Sequence, residues 1–277
     1  MTLEEDVARH YTTGTLLSRI EAALKVEGAD PDHLTVDDLK PVDEFHTGGI
    51  EATSALLDQL DIDPQMTVLD IGAGLGGTAR HIVHRYGARV LGVDLTPDFV
   101  NAGRTLTEMV HLQERITLDI GSALDLPHED ATVDLAVMFH VGMNVADKDM
   151  LFTEVARVLR PKGRFALFDV MRGENQSDLV YPLPWSGTET TSHVDAPGVY
   201  RRAGHAAGLT HLAERDRTAF AQDYFDRVSR KIAAAGPPPL GIHLLMGEDA
   251  GTKIENYVAN LTTGRIAPHE MIFEKPG

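Results

Sequence analysis

The residues of this chain best suited to chemistry begin at Val68–Gly77, VLDIGAGLGG, where an apolar strand runs into a glycine-rich turn and then a helix. Glycines permit a sharp turn and close backbone approach to a ligand, and a helix starting near Leu75 would aim free amide groups into the same space. That arrangement binds a nucleotide-type cofactor, with Gly72, Ala73 and Gly74 as candidate contacts. Asp94 ends the next apolar strand, in VLGVDLTP, where a carboxylate can take both hydroxyls of a ribose, with Leu95 beside it. The alternative for Asp94 is to cap the helix starting at Pro97, a job for which Thr96 is better placed.

The turn alone fits two cofactor classes. Gly72, Gly74 and Gly76 give a G-x-G-x-G spacing common in S-adenosylmethionine enzymes, whereas Gly72, Gly74 and Gly77 satisfy the G-x-G-x-x-G of dinucleotide sites. Other chemistry finds less support. His81 and His84 share one helix face, but no third ligand has recognisable spacing and no His-Glu-x-x-His is present, so no metal is expected and a solvated face explains the pair. No G-x-S-x-G elbow is present to suggest hydrolysis.

The elements that must position these residues alternate between strand and helix, as in a parallel α/β sheet. Strands are expected near Met66–Ile71, Arg89–Asp94, Ile116–Ile120, Val133–Met138, Arg164–Val170, Thr210–Arg215 and Met271–Lys275. Helical patterns cover Leu75–Arg85, Pro97–His111 and Asp147–Leu159, the last stopped by an Arg-Pro-Lys-Gly turn. The expected fold is a Rossmann-like, seven-stranded, mostly parallel sheet with helices on both faces, plus N-terminal and late-inserted lid segments. Residues 1–48 are expected as an N-terminal helical cover of two short helices, and 49–277 as the main domain. Lid insertions are expected near 171–200, with YPLPWS, and near 218–265, with AAAGPPPLGIHLLMG.

Composition narrows the class. The chain has 277 residues, 43% hydrophobic, with 25 Lys and Arg against 42 Asp and Glu, and a net charge of -17. That balance repels a phosphate backbone, and no basic run offsets it, so no nucleic-acid partner is expected. The absence of cysteine rules out disulfides and thiol chemistry and fits a reducing compartment. No stretch approaches the roughly 20 apolar residues of a membrane span, and the acidic N-terminus is no signal peptide. The expectation is a cytoplasmic protein without a membrane partner, and its lid segments are compatible with a homodimer.

Together, VLDIGAGLGG, VLGVDLTP, GSALDLPHEDATVDLAV and EVARVLRPKGRFALFDV resemble the successive motifs of class I S-adenosylmethionine-dependent methyltransferases over roughly residues 45–175. The resemblance implies S-adenosylmethionine as cofactor, Asp70 near its ammonium group, and Ser122, Ala123 and Leu124 flanking its adenine. A carboxylate at Asp70 would repel a dinucleotide pyrophosphate, which favours the sulfonium cofactor. His140 sits where such enzymes place a residue between cofactor and substrate; otherwise it is a satisfied strand-end histidine. Outside the core motifs, DDLKPVDEFHTGGIEAT, FHVGMNVADK, YPLPWS and LGIHLLMGEDAGTKIENYVANLTTGRI are similar to bacterial small-molecule methyltransferases of the sarcosine and dimethylglycine type.

These segments supply the remaining candidates. Thr47, Gly48 and Gly49 precede a helix from about Ile50 whose amides could face the methionine carboxylate. Tyr11 could cover the cofactor or simply pack its helix. Trp185 offers a rigid aromatic wall or a plug for its loop, with Tyr181, Met143, Asn144 and His193 as further acceptor contacts and Asn144 as the best hydrogen-bonding group. His46 and His140 are candidate bases for a phenol or acidic carbon, whereas a neutral amine needs none. The expected activity is methyl transfer to a small molecule, first a glycine- or sarcosine-like amine, then the oxygen or carbon of an aromatic or polyketide-like metabolite. A nicotinamide oxidoreductase and a non-catalytic cofactor-binding regulator are the distant alternatives.

Overall fold

In the computed structural model, which describes residues 2–12 and 15–277, the chain opens with three helices: α1 (Leu3–Tyr11), α2 (Leu16–Val26) and α3 (Val36–Asp43). Residues 1, 13 and 14 of the expected cover lie outside the described residues. Both α1 and α3 start with capping boxes, Thr2 with Glu5 and Thr35 with Asp38, which satisfy backbone donors left free at a helix start. The alternation follows as α4 (Gly49–Leu57), β1 (Thr67–Ile71), α5 (Gly77–Tyr86), β2 (Arg89–Asp94), α6 (Pro97–Met109), β3 (Ile116–Ile120) and β4 (Val133–Phe139). It continues through α7 (Lys148–Val158), β5 (Leu159–Arg172), α8 (Pro197–Ala206), β6 (Thr210–Asp216), α9 (Thr218–Ala235), α10 (His243–Met246), α11 (Ala250–Thr262) and β7 (Ile266–Glu274).

One seven-stranded sheet results, in the order β3-β2-β1-β4-β5-β7-β6, with β7 antiparallel to both its neighbours and the other pairings parallel. Its central strands are buried on both faces. Successive residues of β1 therefore join opposite cores: Val68 packs with Leu56, Ile82 and Val137, while Leu69 packs with Met138, Phe152 and Phe165. The chain order reverses between β1 and β4, so a crevice opens at the carboxyl ends of β1, β2 and β4, which carry Asp70, Asp94 and His140.

Three local expectations need correction. Among the described residues, the first 48 hold three α-helices rather than two, because Thr35 and Asp38 start a separate helix that tolerates Pro41 near its end. The Arg-Pro-Lys-Gly segment lies inside β5. The helix does stop, at Val158, but the pairing with β4 shifts register between Val133 and Leu135 and Lys162 adopts φ 66°, so the turn after it is absorbed as an irregularity of the strand. His81 is buried against Tyr86 and Ser54, and only His84 is solvated.

Candidate active site

A chamber of about 360 Å³ occupies the crevice. Its floor is the glycine turn, and the local backbone explains why the sequence uses glycine there. Gly74 has φ 53°, and a Cβ on it would meet nothing within 4 Å, so the turn faces open space. At Gly77 the reason is packing: a Cβ would come within 2.3 Å of the Asp43 carbonyl, so the end of α3 rests directly on the start of α5. This contact delivers Asp43, Phe45 and His46 to the chamber wall.

Asp94 braces the turn, accepting from Gly74 N at 2.8 Å and Thr96 N at 2.8 Å. Thr96 holds the N-cap position of α6, yet its side chain makes no cap hydrogen bond. Asp70 is buried, and its Oδ2 has no hydrogen-bond partner among the described residues. Burial, followed by the neighbouring Asp94, raises its carboxyl to about 7. Asp43 is held by a bidentate pair with Arg80, whose Nη1 also donates to Thr107 at 2.9 Å. The wall is acidic: Glu4, Asp43, Asp70, Asp94 and Asp147 line it, and among the described residues it has no Lys or Arg.

Gly72, Ala73, Leu95, Ala123, Leu124 and Asn144 also lie on this wall. Ser122 does not; its hydroxyl donates to Glu4 and accepts from Leu124 N at 2.9 Å, which ties α1 to the loop after β3. Gly48 and Gly49 are likewise off the wall, with Gly48 packed under Phe220.

A second, smaller chamber of about 60 Å³ adjoins the first, and Tyr11, Phe45, His46 and His140 are common to both walls. Thr47, Met143 and Trp185 line the smaller one, together with Tyr224, Phe225 and Tyr257 from α9 and α11. Trp185 is buried and donates Nε1–H to Ser192 at 2.9 Å. Thr47 Oγ1 lies 2.7 Å from Tyr257 Oη. Tyr181 and His193 are on neither wall: Tyr181 packs in the cluster behind Trp185, and the His193 N–H donates to Met143 O at 2.6 Å. Asn144 is already committed. Its Nδ2 donates to the carbonyls of Trp185 and Thr191 at 3.0 and 3.2 Å, and its Oδ1 accepts from Tyr11 at 3.3 Å.

At the junction of the chambers the two histidine rings are 5.8 Å apart. Burial lowers His46 to about 4 and holds His140 well below the ordinary imidazole range, so both are neutral near pH 7. The His140 Nε2 has no partner and its backbone sits at φ 52°.

Residues 69–167, the span of the turn, Asp94 and His140, match the family described as Methyltransferase domain. That span carries a class I S-adenosylmethionine-dependent methyltransferase domain. Among its relatives is a methyltransferase GfsG from Streptomyces halstedii, 27% identical over 187 residues, covering 65% of this chain and 67% of that one. A sarcosine/dimethylglycine N-methyltransferase from Halorhodospira halochloris is also 27% identical, over 71% of this chain and 69% of its own. The geranyl diphosphate C-methyltransferase of Streptomyces coelicolor A3(2), solved with Mg2+, geranyl diphosphate and S-adenosylhomocysteine, shares the fold. Its TM-score is 0.72 at 18% identity, over 99% of this chain and 98% of that one.

Sequence reasoning about the methyltransferase missed Glu4, whose carboxylate reaches the wall from α1, and the buried pair Glu44 and Thr53 behind His46. The capping box at Thr2 and Glu5 marks the start of α1, but nothing local tells which of its carboxylates turns inward.

Proposed function

We propose that this methyltransferase modifies an uncharged, largely apolar small molecule at a protic nucleophile such as a phenolic or enolic hydroxyl. The observation that carries the reading is the wall of the smaller chamber, which is built from aromatic and aliphatic side chains and has no Lys or Arg among the described residues. A glycine- or sarcosine-like acceptor would bring a carboxylate with no cation to meet it, and an unpaired buried charge costs several kcal/mol. The arginines that could have served are elsewhere. Arg172 donates to Ser177 O, Arg201 pairs with Glu214 on the surface, and Arg202 is exposed.

In this reading the larger chamber takes the cofactor, and its residues fit that group. Asp70 Oδ2, without a partner among the described residues, meets the ammonium. Asp94, fixed by Gly74 and Thr96, presents its remaining lone pairs to the ribose, and the Ala123–Leu124 backbone borders the adenine. S-adenosylmethionine supplies a methyl group on a sulfonium that is already electrophilic. The acidic wall favours that positive charge, while the covers exclude water and align the acceptor, which sits where Tyr11, His46 and His140 border both chambers. One of the two neutral imidazoles takes the acceptor's proton.

Matched acceptors test the proposal: a panel of neutral phenols beside their carboxylated counterparts, with sarcosine and dimethylglycine included. The neutral member of each pair is expected to show kcat/KM higher by at least about tenfold. Preferred turnover of sarcosine or of the carboxylated members overturns the reading.

A further inference from the structure

Resting on that reading of a protic acceptor, we propose that Glu44 and Thr53 are positioning residues for His46, forming a buried relay that directs its Nδ1 lone pair toward the acceptor and removes the proton it receives. The geometry fixes the direction. Thr53 Oγ1 donates to Glu44 Oε2 at 2.6 Å, and the same oxygen lies 3.0 Å from His46 Nε2. A hydroxyl has one proton, so with Glu44 ionised that proton goes to the carboxylate, the oxygen otherwise only accepts, and Nε2 must carry the ring hydrogen. The Gly49 carbonyl, 3.5 Å from Thr53 Oγ1, also favours a proton on the ring. With Nε2 turned to Thr53, Nδ1 is the nitrogen left for the chambers, whose walls both include His46.

The step balances. As a lone pair of the acceptor oxygen forms the bond to the methyl carbon, the carbon–sulfur pair stays on sulfur and the acceptor proton passes to Nδ1. The Nε2 proton moves to Thr53 Oγ1, and the former Thr53 proton moves to Glu44 Oε2. A sulfonium cation and a carboxylate anion are consumed together, so no net charge is stranded in a region sealed from water. His140 has no comparable outlet, because its Nε2 has no partner among the described residues.

Electrostatics agree with this role. Burial raises the Glu44 carboxyl to about 8 against the opposing hydrogen bond from Thr53, with Asp43 and Asp70 adding to the rise and Arg80 opposing it. A carboxyl with that proton affinity already holds a proton near neutral pH, and once ionised at higher pH it is a strong acceptor. His46, facing Phe139, Phe168 and the neutral His140, is disfavoured as a lasting imidazolium. The relay needs Glu44 ionised, so turnover rises with pH through a limb at or below about 8.

The test uses the full chain labelled with 15N-histidine and saturated with S-adenosylhomocysteine, with His46→Gln identifying the His46 signals. Long-range 1H–15N correlation at pH 9 is expected to show His46 protonated at Nε2. Thr53→Val is expected to shift the ring toward Nδ1–H, and Thr53→Ser to keep the wild-type pattern. With the phenolic acceptor of the panel, Thr53→Val and Glu44→Gln are expected to lower kcat on the order of 100-fold, with KM and S-adenosylhomocysteine affinity within about twofold of wild type. Glu44→Gln should also abolish the alkaline rise. An Nδ1–H tautomer in the wild type, an unchanged tautomer in Thr53→Val, or an intact pH limb in Glu44→Gln overturns the relay. If no neutral acceptor is turned over, the acceptor reading fails and the tautomer measurement alone decides the relay.

Discussion

At the scale of single residues, Asp70 links a buried, unpartnered oxygen to a testable proton balance. Its carboxyl is raised to about 7 in the ligand-free protein, and an arriving ammonium favours its ionised form. Cofactor binding near pH 7 is therefore expected to release protons, and affinity is expected to rise as pH increases through about 7. Calorimetry with S-adenosylhomocysteine in buffers of different ionisation enthalpy measures this directly. Asp70→Asn should remove the proton release and weaken binding by about 1.5–3 kcal/mol, the range for a hydrogen bond to a charged group; unchanged proton release in the variant would sink the assignment. The turn, Asp70 and Asp94 were legible because they are tied to one another through local strand ends. Glu44 and Thr53 were not, since a carboxylate behind a histidine becomes informative only when both are known to be buried.

At the scale of elements, the cover over the chambers is held by a few hydrogen bonds between segments distant in sequence. Asn144 joins α1, through Tyr11, to the Trp185–Thr191 segment, and Lys148 donates to Val145 O, His193 O and Asp195. Asn144→Ala is expected to raise hydrogen exchange in α1 and in residues 183–191 while leaving β1 and β4 protected, because the sheet does not depend on that clamp. Equal protection in both proteins would mean that packing alone seats the cover. Lys148→Met leaves the Val145 and His193 carbonyls without their donor, while the exposed Asp195 turns to solvent, with an expected loss of about 1–3 kcal/mol in chemical denaturation. Strands were legible at this scale, since both the apolar runs and their spacing are local. The bend of Arg-Pro-Lys-Gly into β5 was not, because pairing with β4 and β7 outweighed a local turn preference.

At the scale of the whole molecule, buried carboxyls and histidines set opposing pH dependences. Burial lowers His46 and His81 to about 4, so between about 4 and 6.5 the unfolded chain holds more protons at these sites and they add stability as pH rises. Burial raises Glu44 to about 8 and Asp70 to about 7, so from their unfolded values up to these limits the folded state holds more protons and stability falls as pH rises. Above about 7.5 the histidine contribution is nearly complete and the loss from Glu44 continues. The ligand-free protein is therefore expected to lose on the order of 1 kcal/mol between pH 7.5 and 9. Glu44→Gln should flatten the decline in urea midpoints, and a midpoint that rises over this window would contradict the buried, protonated state.

The sequence by itself determined the sheet, the glycine turn and the cofactor class, because each rests on residues adjacent in the chain with a repeating period or a fixed spacing. Only the tertiary structure carries the proposal of an acceptor without a carboxylate. The walls around His46, His140 and Trp185 come from the loops after α3 and β4, the long segment after β5, and helices α9 to α11, and their shared lack of a cation is a property of the assembled surface. The same holds for His46 itself. A histidine in EFHTGG is one of 13 in the chain, and only the hydroxyl of Thr53 and the carboxyl of Glu44, brought beside it by the turn into α4, carry the proposal of which nitrogen faces the acceptor.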